Sequence, residues 1–184
     1  VTVNKASAKV GFSNPIVFDY LGDGSTTLIL DGCTVSLSHL KVVGHPEALV
    51  SINSNNVVSV SGLNAGNYTL SVEAIPDANH RSVSATLPIT VNKIDSDIIF
   101  IEDYISFKYS ESGSTAIVLD SCKVSTMNIE GNSVKPVLKG NVISVSGLPV
   151  GKYRLKVTTQ PVNGNYNSVV RSIPVVVSKN TAKI

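Results

Sequence analysis

The chain has no tryptophan, one methionine and two cysteines in 184 residues. Aromatic residues make up 5% and charged residues 15%, against a usual charged share of ~25%. These shortages exclude several classes. The net charge of +2 comes from scattered Lys and Arg with no basic run. Few aromatics go with it, so the stripe of cations and stacking rings that nucleic acid requires is missing, and no nucleic-acid partner is expected. No stretch approaches the ~20 apolar residues of a membrane-spanning helix. No signal peptide or sorting tail is visible. No helical period persists over three turns. No Gly-x-Ser-x-Gly elbow is present, no His–Asp set recurs to serve a nucleophile, and the reading is of a non-enzyme without a cofactor.

What is there is repetition. Val3-Asn4-Lys5 recurs as Val91-Asn92-Lys93, Gly24-Ser25-Thr26 as Gly113-Ser114-Thr115, and Leu30 to Cys33 as Leu119 to Cys122. Val58 to Leu63 recurs as Ile143 to Leu148, and Gly66 to Leu70 as Gly151 to Leu155. Each unit is therefore about 85–90 residues, the size of one small domain. Self-similarity at a fixed period marks an array of like modules. The boundaries fall at 6–93 for the first repeat and 94–184 for the second. Residues 1–5 duplicate a closing strand ahead of the first complete repeat. They are either the remnant of a preceding repeat in a longer array or processed protein, or a strand donated to a neighbouring chain.

Apolar runs come every 8–12 residues, rich in Val, Ile and Thr and separated by Gly, Pro, Asn and Asp. They place strands near 8–12, 16–20, 26–31, 34–43, 48–52, 57–61, 67–74 and 83–92. The second repeat has them near 96–101, 104–109, 115–120, 123–130, 134–138, 142–146, 152–159 and 169–178. Gly22-Asp23-Gly24 and Gly62 to Gly66 read as turns. Seven to eight short strands per repeat predict an all-β chain of two tandem immunoglobulin-like Greek-key sandwiches.

Tyr68 and Tyr153 each sit just inside a strand after a Gly-containing corner. This fits a tyrosine corner, in which the phenol bonds to nearby backbone. Two residues on, where antibody domains carry a bridging Cys, stand Leu70 and Leu155. Each repeat keeps one cysteine instead, Cys33 and Cys122, at equivalent strand ends. A bridge between them needs Cα atoms within about 7 Å, which tandem units extended a domain length apart do not offer unless they fold back on each other. Each thiol is either a small buried hydrophobe or a point of inter-chain bridging or covalent attachment.

Thr90 to Lys93, the Val-Ser-Val-Ser-Gly-Leu step, Gly66 to Leu70 and Pro76 to His80 together resemble the bacterial-immunoglobulin-like (Big) repeats. Such repeats build adhesin-like surface proteins of methanogenic archaea and of some bacteria. The resemblance implies an exported protein at the cell surface, with stalk modules that carry no catalytic residues. Its partners would be further Ig-like repeats, copies of itself, or surface glycans and proteins. One Cys per repeat departs from the commonest form.

The remaining candidates are local. Asp95, Asp97, Glu102 and Asp103 cluster after the repeat boundary, where carboxylates could hold Ca²⁺, although the first repeat has no equivalent. His39, His45 and His80 lack metal-ligand spacing, and no metal site is expected from them. Lys5, Lys93 and Lys179, with Asp31 and Asp120, raise an isopeptide crosslink. Asn67-Tyr68-Thr69 is the one glycosylation sequon, and Asn67 is either a glycan acceptor or an outward-facing strand residue. The leading reading is a non-enzymatic extracellular module of an adhesin stalk or filament, acting as a rigid spacer and in adhesion. The alternative is a binding module that recognises a glycan or protein through loops at one end of the sandwich.

Overall fold

In the computed structural model, residues 2–180 are described. Val1 of the leading segment and residues 181–184 of the second repeat lie outside them. The chain divides into two compact units, Val1–Ile94 and Asp95–Ile184.

In the first unit, alternating side chains produce strands with one inner and one outer face. The main strands are β1 (Lys9–Phe12), β2 (Ile16–Asp19), β3 (Asp23–Asp31), β4 (Leu40–Val42), β5 (Leu49–Ile52), β6 (Val57–Ser61), β7 (Gly66–Glu73) and β8 (Ser84–Asn92). They form two four-stranded sheets, β1-β3-β6-β5 and β2-β8-β7-β4. Within these two sheets the pairs are antiparallel except β2 with β8, which run parallel from Ile16↔Ile89 to Asp19↔Asn92; outside them Ala6–Ser7 runs parallel to His80–Arg81. The second unit repeats this order with β9 (Asp97–Phe100), β10 (Ile105–Lys108), β11 (Ser112–Asp120), β12 (Cys122–Ile129), β13 (Val137–Lys139), β14 (Val142–Ser146), β15 (Gly151–Pro161) and β16 (Val170–Ser178). Its sheets are β9-β11-β14-β13 and β10-β16-β15-β12. Each unit is an immunoglobulin-like sandwich in which the chain crosses between sheets after β1, β2, β3, β4 and β6 and their counterparts.

The inward faces make one core per unit. Val58, Val60, Leu70, Val72 and Ile89 are 0% exposed in the first, and Ile143, Leu155, Val157 and Val175 in the second. Each such side chain contributes about 1.5–3 kcal/mol by leaving water.

Two expectations are corrected. Gly24, read as part of a turn, lies inside β3, and its counterpart Gly113 lies inside β11. A Cβ on Gly24 would come 2.6 Å from Phe18 Cδ1 and 2.8 Å from Ile16 Cγ2; on Gly113 it would come 2.6 Å from both Ile105 Cγ2 and Phe107 Cδ1. Glycine is there because side chains from the facing sheet occupy the space a Cβ would need. The strand expected over 34–43 is also broken. Cys33–Thr34 pairs with Ile75–Pro76, a 3₁₀ turn follows over Leu37–His39, and pairing resumes at β4. His39 Nδ1 lies 2.8 Å from Ser36 Oγ and 3.0 Å from Ser38 Oγ, local bonds that compete with the ladder. In the second unit the same stretch stays a strand, absorbing its irregularity as a bulge between Val124 and Thr126.

Candidate functional site

The features that recur in both units serve packing and backbone satisfaction. Tyr68 Oη donates to Asn64 O at 2.8 Å, and Tyr153 Oη donates to Pro149 O at 3.0 Å. In each, the hydroxyl reaches back four residues across the turn between β6 and β7, or β14 and β15. The ring lies over the glycine two residues before it: a Cβ on Gly66 would be 3.3 Å from Tyr68 Oη, and on Gly151 3.2 Å from Tyr153 Oη. Both tyrosines also pack on their unit's core.

A second recurring device ties β3 to the connection between β1 and β2, and β11 to that between β9 and β10. Thr26 and Thr115 are buried at 2% and 1% exposure. Thr26 Oγ1 donates to Asn14 O at 2.9 Å, while Thr27 N donates to Ser13 Oγ at 3.0 Å. In the second unit one carboxylate does both jobs. Glu102 Oε2 accepts from Thr115 Oγ1 and, at 3.1 Å, from Ala116 N.

That placement bears on the four carboxylates considered for calcium, Asp95, Asp97, Glu102 and Asp103. The four carboxylates do not converge. Glu102 bonds to Thr115 and Ala116 in the middle of β11. Asp97 Oδ1 accepts from Ile98 N at 2.8 Å and pairs with Arg171 at 3.3 Å. Asp95 Oδ1 accepts from Asn167 Nδ2 at 3.0 Å. Asp103 is exposed on the loop beyond Glu102. Among the described residues, no group of three or more His, Cys, Asp or Glu is arranged to hold a metal ion. The isopeptide arrangement is not formed either. Lys5, Lys93 and Lys179 are exposed, and so are Asp31 and Asp120. Asp31 pairs with Lys9 at 3.7 Å, and Asp120 accepts from Ser121 Oγ at 2.9 Å. Neither is the buried carboxylate such a crosslink requires.

The cysteines are both free thiols in matching places. Cys33 stands opposite Pro76 and Cys122 opposite Pro161. Cys33 is half-buried, its Sγ 3.4 Å from Lys9 O; Cys122 is buried, its Sγ 3.1 Å from Asp97 O. Asn67 is exposed on the outer face of β7, where its Oδ1 accepts from Thr90 Oγ1 at 3.2 Å.

Sequence reasoning missed two histidine–carboxylate pairs in first-unit loops. His80 Nδ1 donates to Asp77 Oδ1 at 2.6 Å. This bond, with a second from Asn79 N, holds the Asp77 carboxyl below its ordinary range. The His80 ring packs so closely on Gly32 that a Cβ there would be 2.4 Å from it. His45 Nδ1 donates to Glu47 Oε1 at 2.8 Å, lowers that carboxyl likewise, and stands edge-on to Tyr68 with ring centroids 4.7 Å apart. The sequence signal was a carboxylate two or three residues from each histidine inside a turn.

No family model and no curated protein matches the chain. Among solved structures, the fibronectin(III)-like modules of Clostridium thermocellum CbhA align over 93% of this chain and 95% of theirs, at 12% identity and a TM-score of 0.37. Titin domains Z1Z2 in complex with telethonin align over 96% and 99%, at 14% identity and 0.47. Domains 4 and 5 of the S-layer protein SbsC align over 95% and 99%, at 11% identity and 0.35. The fold assignment rests on the strand order and register above.

Proposed function

We propose that this chain is a mechanical spacer: two immunoglobulin-like modules, of the bacterial-immunoglobulin-like type, within an extracellular stalk, adhesin or filament at a cell surface. The observation that carries it is that what recurs between the units is internal to each sandwich. Corner tyrosines, buried threonines and close-packed glycines are duplicated, whereas the loops at the sandwich ends differ.

The sheet order suits the task. In each unit an early strand lies parallel to the last one, β2 beside β8 and β10 beside β16. Tension applied through the two ends of a unit pulls such a pair in opposite directions along its length. The hydrogen bonds are then sheared together rather than opened one at a time. β8 ends at Asn92 and the next paired residues begin at Ile94, so Lys93 alone separates them. A connection without Gly or Pro gives little slack.

Residues 2–5 belong to the same proposal. Val3 is 87% exposed, whereas Val91, at the equivalent place in the first unit, is 3% exposed. The segment is either the end of a preceding repeat or a strand given to another copy. Deleting 1–5 and measuring particle size separates these, because only loss of a donated strand reduces assembly. For the function itself, immunogold electron microscopy of cells that make the protein is decisive. Label along surface rods or fibres supports the reading, and label confined to the cell interior overturns it.

A further inference from the structure

We propose that the outer face of the β10-β16-β15-β12 sheet in the second unit binds an acidic linear polysaccharide, one carrying carboxylate or sulfate groups. This does not depend on the spacer reading, since the face is formed by the fold alone.

Strand β15 alternates strictly. Leu155, Val157 and Thr159 point into the core at 0%, 0% and 2% exposure. Lys152, Arg154 and Lys156 therefore all point outward from the other side. At about 3.3 Å rise per residue, the three cations form a straight row roughly 13 Å long. In sequence they are separated by Tyr153 and Leu155, so they make no basic run. Arg154 Nε lies 3.9 Å from Glu130 Oε2, with side chains 58% and 49% exposed. An open pair of that length holds its partners weakly and leaves the guanidinium accessible. Among the described residues, Lys152 and Lys156 have no ion pair. Lys123, exposed opposite Gln160, extends the row beyond its end. Lys108 on the edge strand has Glu111 beside it, with Oε2 3.4 Å from Lys108 N, and adds little net charge.

The first unit is an internal comparison. Its corresponding row on β7 is Asn67, Thr69 and Ser71, without a cation, and Lys41, opposite Ser71 on β4, pairs with Glu73 of β7 at 3.8 Å. The sandwich therefore does not need a row of cations on this strand, and folding gives no account of the second unit's row.

The chemistry around the cations selects among polyanions. Ser172 and Asn128 flank Lys156 in register and can bond sugar hydroxyls. Pro174 and Val176 stand opposite Arg154 and Lys152 and offer apolar surface to the CH faces of sugar rings. Base stacking would require aromatic rings on this face. Tyr153, the aromatic residue of the β15 row, is turned the other way, bonded to Pro149 O and packed on the core.

The test measures binding of the full chain to heparin (sulfated), polygalacturonate (carboxylated) and neutral dextran at physiological ionic strength. A thymidine oligonucleotide and phosphatidylserine vesicles represent the other polyanions. The chain should bind one or both acidic polysaccharides and not dextran. Lys152→Asn, Arg154→Thr and Lys156→Ser together, which copy the first unit's residues, should weaken binding at least tenfold while amide spectra stay native. The reciprocal graft, Asn67→Lys, Thr69→Arg and Ser71→Lys in the wild-type chain, should raise binding, so the idea is testable even if the first variant misfolds. Heparin binding alone assigns sulfate, and polygalacturonate binding alone assigns carboxylate. Failure to bind either polysaccharide, undiminished binding by the folded triple variant, or equal affinity for the oligonucleotide or vesicles would overturn the proposal.

Discussion

Gly113→Ala is the sharpest perturbation the structure offers. One methyl group is added, at a position where glycine's conformational freedom is not required and only space is at stake. Its Cβ would lie 2.6 Å from Ile105 Cγ2, 2.6 Å from Phe107 Cδ1 and 3.2 Å from Ser106 O. Real Cβ contacts are not found that close, so something must move. Ile105 is 1% exposed and Phe107 7% exposed, and neither can swing into solvent. Overpacking of this kind costs about 1–3 kcal/mol. For a domain of this size each kcal/mol lowers the midpoint by about 4–8 °C, so a fall on the order of 5–20 °C is expected. Differential scanning calorimetry with residue-resolved amide spectra reads it: second-unit signals should melt early while first-unit signals hold. Gly24→Ala should do the converse, since its Cβ meets Phe18 Cδ1 and Ile16 Cγ2 at 2.6 and 2.8 Å. Adding Ile105→Ala to Gly113→Ala should cost at least 0.5 kcal/mol less than the sum of the single changes, because the two residues share one space. An unchanged midpoint for both glycine variants, or strict additivity in the double variant, refutes the packing argument.

The corner hydroxyls give a smaller effect: Tyr68→Phe and Tyr153→Phe should each cost their own unit about 0.5–1.5 kcal/mol by denaturant titration. Thr115→Val should cost the second unit about 1.5–3 kcal/mol, because it removes a bond to the Glu102 carboxylate, whereas Thr26→Val, which removes a bond to a neutral carbonyl, should cost the first unit less. The depressed carboxyls Asp77 and Glu47 stabilise the first unit above the ordinary carboxylate range. That contribution is lost as pH falls through their lowered values, so Asp77→Asn with Glu47→Gln should flatten the acid limb of the first unit's stability curve and leave the second unit's unchanged. Residues 94–184 expressed alone should give dispersed amide spectra; a disordered spectrum would place the boundary elsewhere.

Strand positions were legible because burial imposes a period of two. β3, β7, β11 and β15 each carry an inner row of Leu, Val, Ile or Thr between polar outer residues, and alternation finds them directly. The corner tyrosines were legible because their spacing to the preceding glycine recurs. Other features depend on which segments meet in space. Gly24 looks like a turn former until the facing sheet is placed over it. Glu102 looks like one of four clustered acids until the middle of β11, with Thr115 and Ala116, is placed beside it. Lys152, Arg154 and Lys156 look scattered along the chain because alternation puts a tyrosine and a leucine between them, and only the folded strand lines them up.

The spacer account is tested most directly by stretching single molecules of the full chain between handles at its two ends. Each sandwich has its own core and its own parallel terminal pair. The account therefore predicts two separate unfolding events, each releasing roughly 300 Å of chain at ~3.3–3.6 Å per residue. A single event releasing both units together, or extension without force peaks, would contradict it.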